Sequence, residues 1–318
     1  MKKMIALLIV LFASSLTRAQ ILWTAGMETG DFTEWQLVDF KQNGSVSAST
    51  DFAHTGSHSA KISTFSPYSP LPSNYAQLHR WADTQNPTYF SGGLYYGFWV
   101  YFPVNYTLTH STSNGNFLNL MQFESKVWTP SGSCAWPNTT GTTVKDNPTL
   151  YLNVQNRTPT TNTPMYLTVT WANAAGLTGP YSNSDSSGKG YISTAQPSLN
   201  LPVAQWTHIE VFLKEWPHDV TPFQGRFTVW QDGVQMFDLG GPTDNSCGLG
   251  AGNCPITTKY GDDTNGTNFC HGNNAWSVNI YDDGISPDPG VIYIDDAIVS
   301  QTRETPLLPP TNLRATAK

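Results

Sequence analysis

The sequence predicts an all-β chain folded as a sandwich or a barrel, and three observations carry that expectation. Seven segments alternate apolar and polar residues with a period of two, no helical period separates them, and Asp232-Gly233 marks a tight hairpin between two β-forming runs. Residues 93 to 103, "GLYYGFWVYFP", form an aromatic run that Pro103 closes. Residues 149 to 157 place Leu150, Leu152 and Val154 on one face, and 165 to 173 do the same with Met165, Leu167 and Val169. Residues 206 to 216 bring Ile209, Val211 and Leu213 to a common face. The run 225 to 239 is two strands around the Asp232-Gly233 turn, and 275 to 284 and 290 to 300 complete the set. A further run, "FLNLMQFESK" at 117 to 126, turns from apolar to polar without a Gly or Pro to break it, so its polar residues are still expected on a strand.

The first nineteen residues are set apart. Lys2 and Lys3 precede an apolar stretch from Met4 to about Leu16, and Thr17 and Ala19 stand at the small positions before a cut, the pattern of a secretory signal peptide. The expected chain is therefore secreted or periplasmic, with one domain over 20–303 and a Pro-rich tail or linker over 304–318. No later segment approaches the roughly 18 apolar residues of a membrane span. The formal charge of -7 falls to -10 without Lys2, Lys3 and Arg18, which removes any global attraction to nucleic acid or to an acidic membrane surface. An anionic partner must be held locally. Four cysteines, Cys134, Cys247, Cys254 and Cys270, lie in Gly, Asn or Pro-rich stretches and read as two disulfides, Cys247 with Cys254 and Cys134 with Cys270 being favoured among three pairings. Long polar loops at 104–116, 129–147, 174–200 and 241–274 suit the rim of a binding surface.

Five stretches in order, "METGDFTEW" (27–35), "HTGSHSAKI" (54–62), "YYGFWVYFP", "WTHIEVFLKEW" leading into "GRFTVWQDGVQMF", and "VNIYDDG" near the end, resemble the heparin-lyase-like polysaccharide lyases, concanavalin A-like jelly-roll β-sandwiches. The resemblance implies a polysaccharide partner, cleaved by β-elimination at a uronate, in a protein expected to be a monomer. The lyase pattern has Gln, an apolar residue and a catalytic His on the strand after "YFP"; here Gln122, Phe123 and Glu124 stand there. Its later catalytic Tyr is matched by Tyr281 after Ile280.

A lyase neutralises a uronate carboxylate, removes the adjacent ring proton and protonates the leaving oxygen. Tyr281, Glu124 and His79 are the candidate catalytic residues. His79 shares a strand face with Gln77 and Trp81, and Tyr151, Asn153, Gln155 and Arg157 share another, the latter being poor core material and good sugar-binding material. Gln77, Gln122, Tyr151, Asn153, Gln155 and Arg157 are thus the candidate substrate-binding residues, with Trp128 and Trp136 in a polar loop for stacking on sugar rings. Glu124 also suits a surface ion pair with Lys126 or Arg157, and His208 and Glu210 suit a structural strand.

Two other function classes compete: a non-catalytic lectin, and a glycosidase whose two carboxyls, Glu124 and Glu210, would stand ~5 to 9.5 Å apart. The resemblance of "METGDFTEW" and "IYIDDAIVS" to the paired end strands of jelly-roll carbohydrate modules implies a structural Ca²⁺, with Glu28 and Asp296 as carboxylate ligands and the Asp51 to Ser57 stretch completing the shell.

Overall fold

The computed structural model describes residues 21–41, 43–65, 74–81, 93–104, 106, 118–125, 127–128, 134–135, 149–156, 164–172, 199–214, 216–217, 222, 224–243, 258–259, 274–282 and 289–304. These are strands and connections, with no helix among the described residues. The strands are β1 (Ile21–Ala25), β2 (Leu37–Lys41), β3 (Gly44–Ser49), β4 (Ser59–Thr64), β5 (Asn74–Trp81), β6 (Leu94–Tyr101), β7 (Leu118–Ser125), β8 (Val127–Trp128) and β9 (Cys134–Ala135). They continue with β10 (Thr149–Asn156), β11 (Met165–Ala172), β12 (Trp206–Lys214), β13 (Trp216–Pro217), β14 (Arg226–Gln231), β15 (Val234–Gly240), β16 (Thr258–Lys259), β17 (Asn274–Asp282) and β18 (Gly290–Ser300). All seven alternating segments of the sequence are strands.

Two antiparallel sheets stack as a jelly-roll sandwich. The eight-stranded sheet runs β15-β14-β12-β6-β18-β4-β3, with β1 also paired to β18; the six-stranded sheet runs β11-β10-β7-β17-β5-β2. The inward faces meet in one core that includes Ile62, Leu78, Phe98, Leu118, Leu152, Ile209, Val229, Ile280 and Ile292. Each fully buried large apolar side chain contributes about 1.5–3 kcal/mol relative to exposure, which lets the outward faces carry chemistry instead of core. Trp276 joins the layers, with ring centroids 5.8 Å from Trp35 and 5.3 Å from Tyr96. The Asp232-Gly233 turn adopts φ of 49° and 80°, the doubly left-handed geometry that matches the twist of a two-residue hairpin.

Cys247, Cys254 and Cys270 lie outside the described residues, as do the N-terminal residues 1–20 and the tail from 305.

Candidate active site

Strand register decides which side chains share the outward face of the six-stranded sheet. In β5 and β17, His79 stands opposite Ser277, Gln77 opposite Asn279, and Tyr75 opposite Tyr281. On the other side of β17, Gln122 stands opposite Ser277, Glu124 opposite Ala275, and Asn119 opposite Tyr281. β10 then places Tyr151 against Gln122 and Asn153 against Asn119, and β11 adds Thr168 against Asn153 and Tyr166 against Gln155. Opposed residues of an antiparallel pair point to the same side. The positions of Gln77, His79, Gln122, Glu124, Tyr151, Asn153, Gln155 and Tyr281 therefore lie on one face. Glu124 and Trp128 are placed by their backbone alone, and Arg157 and Trp136 lie outside the described residues.

Sequence reading missed Asn119, Ser277, Asn279, Tyr75 and Asp39. The parity of β17 carried the signal for Ser277 and Asn279, which alternate with Trp276, Val278 and Ile280. Asn119 had no such signal. It is three residues from Gln122, so strict alternation puts the two on opposite faces. The ladder shifts on both sides of β7: against β10 the fully buried Leu120 is the extra residue between Met121 and Asn119, whereas against β17 the extra residue lies on β17, where Asn279 and Ile280 face the single position of Leu120.

The face is polar and nearly closed to solvent: Asn279 is 0 % exposed, Asn119 and Ser277 1 %, and Asn153 5 %. Buried amides must find partners, and these find one another. Ser277 Oγ donates to Asn279 Oδ1 at 2.9 Å, Asn279 Nδ2 donates to the Asn119 carbonyl at 2.8 Å and to Asn119 Oδ1, and Asn119 Nδ2 donates to Asn153 Oδ1 at 3.0 Å. The chain has a direction. Asn153 Oδ1 closes it as the acceptor of the last of these bonds. Networks of this kind in a low dielectric are fixed dipoles that need no reorientation when charge arrives.

Two titratable clusters flank the amides. Tyr75 and Tyr281 lie nearly parallel, 14° apart with centroids at 5.9 Å, and Tyr75 Oη donates to Asp39 Oδ2 at 3.3 Å. Four residues along β17, ~13 Å at the strand rise, is the level of His79. Its Nε2 donates to Gln77 Oε1 at 2.9 Å, which leaves the lone pair on Nδ1. Burial holds the His79 pKa down to about 4, against a smaller opposing pull from Asp39, so the ring is neutral at neutral pH.

The glycosidase pairing is overturned. Glu210 belongs to β12, on the outward face of the other sheet, where Arg303 Nε at 2.8 Å and the Glu304 N–H at 2.7 Å hold its carboxylate. The sandwich separates it from the face that carries position 124. His208 shares that outward face, its ring 5.0 Å from Trp99.

Of the three carboxylates expected at a calcium site, two meet one loop and Asp51 turns away. Glu28 accepts from Ser57 N (3.0 and 2.9 Å), Ser57 Oγ (3.2 Å) and His58 N (2.9 Å). Asp296, at φ 44°, accepts from His54 Nδ1 and Thr55 Oγ1, each at 2.7 Å. Both carboxylates thus close on the loop 54–58, and a Cβ on Gly26 would stand 3.8 Å from Asp296 Oδ1 and from Glu28 Cγ. Asp51 points elsewhere, bound to Lys61 Nζ at 2.8 Å and Tyr293 Oη at 3.1 Å. Among the described residues no three His, Cys, Asp or Glu side chains form a metal-holding group. Asp51 does not join Glu28 and Asp296 at that loop.

A jelly-roll sandwich with a lattice of amides, phenols and an imidazole on one sheet face is the architecture of a carbohydrate-active protein. The chain belongs to the polysaccharide lyase family, whose model matches residues 27–296. Among solved structures, the endo-β-1,4-glucuronan lyase of the fungus Trichoderma reesei is similar in fold, with a TM-score of 0.56, 14% identity, and coverage of 89% of this chain and 96% of that one. The marine PL-14 alginate lyase of Aplysia kurodai gives a TM-score of 0.50 at 12% identity, covering 88% of this chain and 99% of that one. No curated protein sequence matches this chain.

Proposed function

We propose that this polysaccharide lyase cleaves a uronate-containing polysaccharide by β-elimination on the outward face of the six-stranded sheet. The observation that carries the reading is the amide chain ending at Asn119 and Asn153 beside two parallel phenols, Tyr75 and Tyr281. The amide N–H groups bind the uronate carboxylate and draw charge from the adjacent carbon, which makes its proton removable. Tyr75 takes that C5 proton as its own passes to Asp39. The C–H electron pair becomes the C4=C5 double bond, the C4–O bond breaks, and Tyr281 protonates the departing oxygen. Solvent then restores the Tyr281 proton and removes the one on Asp39. Gln77, Gln122, Tyr151 and neutral His79, farther along the strands, hold the neighbouring sugar. Uronate polymers are also what the two similar lyases are named for.

The test is Tyr281→Phe, which keeps the ring and its packing and deletes the hydroxyl. Release of unsaturated ends from polyglucuronate or alginate is expected to fall ~10²-fold or more, with little change in affinity. Retained turnover sinks the assignment of Tyr281. Tyr75→Phe and Asp39→Asn are expected to follow the same pattern.

We further propose a structural Ca²⁺ at Glu28 and Asp296, supported by their convergence on the loop 54–58, and export of the chain, supported by the signal-like residues 1–19. Calcium at that position has no part in the chemistry above.

A further inference from the structure

The outward face of the eight-stranded sheet is covered over most of its breadth. On one side the loop 51–58 lies across it, with Phe52 stacked on Tyr101 at 4.4 Å and His54 on Trp99 at 3.7 Å. In the middle the segment after β18 straps it down, Arg303 reaching Glu210 and standing 4.3 Å over the Trp230 ring. Beyond the strap the face opens into a cavity of about 470 Å³, walled by Phe212, Lys214, Gln224, Arg226 and Asp238 over Gly240 and Gly241.

Phe212, Arg226 and Asp238 are held in place before any ligand arrives. Phe212 packs 4.9 Å from Tyr95, and a Cβ on Gly93, at φ 82°, would lie 2.4 Å from Phe212 Cζ, so the glycine is what allows the ring its place. Arg226 grips Asp238 through Nε at 2.7 Å and Nη2 at 2.6 Å, and Thr228 Oγ1 braces the same carboxylate at 2.9 Å. That fork uses two of the five guanidinium N–H groups and holds the plane of the rest. A Cβ on Gly241 would meet nothing within 4 Å, so a ligand can approach the backbone itself. The charge is also local. The chain carries 16 Lys and Arg against 23 Asp and Glu, yet two cations and one carboxylate line this cavity.

We propose that this cavity is a second, non-catalytic binding site for a uronate-containing sugar of an acidic polysaccharide. The apolar face of the sugar ring lies on Phe212, its carboxylate meets Arg226 and Lys214, and its hydroxyls meet Gln224 and Asp238. A chain held here and at the opposite sheet engages the protein at two points, and the second engagement gains from effective concentration. The proposal rests on the acidic-polysaccharide reading of the active face.

The test uses the full chain with Tyr281→Phe as background, so that bound polymer survives. Retardation is measured in native gels containing polyglucuronate or alginate, with neutral xylan as control. The Lys214→Ala/Arg226→Ala pair, and separately Phe212→Leu, are expected to weaken retardation by acidic polymer ~10-fold, about 1.4 kcal/mol. In the active background the same variants are expected to keep kcat on short oligouronides and to raise KM on polymer only. Melting temperatures equal to the parent protein establish that the variants fold; if one variant does not, the other decides. Unchanged retardation in a folded variant overturns the proposal, as does a parent protein that no acidic polymer retards. If the wild type releases no unsaturated ends but is retarded through Lys214 and Arg226, the lyase mechanism fails and the second site stands.

Discussion

Asn279 donates its side-chain amide to the backbone carbonyl of Asn119 at 2.8 Å, across the irregularity that breaks the β7–β17 ladder. The side chain supplies the donor where the regular ladder is interrupted, and the same amide donates to Asn119 Oδ1, whose own NH₂ continues the chain to Asn153. One contact therefore supports both the fold and the donor array.

Asn279→Ala is expected to cost about 1–3 kcal/mol, because a buried carbonyl and a buried amide lose their partner together. Urea denaturation measures this. Turnover is expected to fall as well, since Asn119 is no longer oriented. A variant as stable as the wild type would show that the contact holds nothing.

His79 makes stability depend on pH. Its folded pKa, about 4, lies below the ordinary value of 6.5. Between these the unfolded chain binds a proton that the folded chain refuses, so stability is fully present above pH ~6.5 and is lost as pH falls towards ~4, by about 3 kcal/mol. Asp295, pushed up to about 7 by burial and by Asp296, acts in the opposite sense, favouring the fold at low pH. The clean measurement is the difference between wild type and His79→Gln in unfolding free energy from pH 4 to 7. The variant is expected to lose less as pH falls; parallel curves would remove His79 from the account.

Arg303→Ala leaves Glu210, 1 % exposed, without its cation. The expected loss is about 1–3 kcal/mol at neutral pH, below the roughly 3–5 kcal/mol of a fully buried broken pair because Arg303 is itself 37% exposed. Burial already raises the Glu210 pKa. Without Arg303 it rises further, so the deficit is expected to shrink in acid as Glu210 takes up a proton. Denaturant titrations at pH 7 and pH 4.5 compare the two; a deficit that grows in acid contradicts the ion-pair account.

Calcium bound only by the folded chain raises its melting temperature by mass action. A rise of a few degrees or more in excess calcium over chelator is expected for the wild type and not for Glu28→Gln/Asp296→Asn. Equal melting temperatures for the wild type in both conditions would dismiss the ion. Asp51→Asn is expected to retain the calcium response, because its carboxylate is committed to Lys61.

The strands were legible in the sequence because alternation is a property of a few consecutive residues. A β-strand turns every second side chain to one side whatever it pairs with. The runs around Leu150, Ile209 and Trp276 therefore announced both their extended conformation and their inward faces, and Asp232-Gly233 announced its turn through the φ values that few other residues tolerate. The polar positions 77, 79, 151, 153 and 155 follow on the same basis, whereas Tyr281 stood out only through the family resemblance.

What alternation could not supply is order, register and interruption. These are set by burial and hydrogen bonding between segments far apart in the chain. Nothing local places Glu124 and Glu210 on opposite sides of a sandwich, because each strand alternates equally well in either sheet. Nothing local brings Asn119 to the face of Gln122, because the parity of "NLMQ" forbids it until β7 bulges at Leu120 against β10. The sequence by itself determined that this protein is an all-β chain, a sandwich or a barrel, with polar strand faces around Gln77 and Tyr151. The tertiary structure alone decided that Asn119, Asn153 and Asn279 meet beside Tyr75 and Tyr281, since a bulge arises from the pairing of three strands and is written in none of them separately.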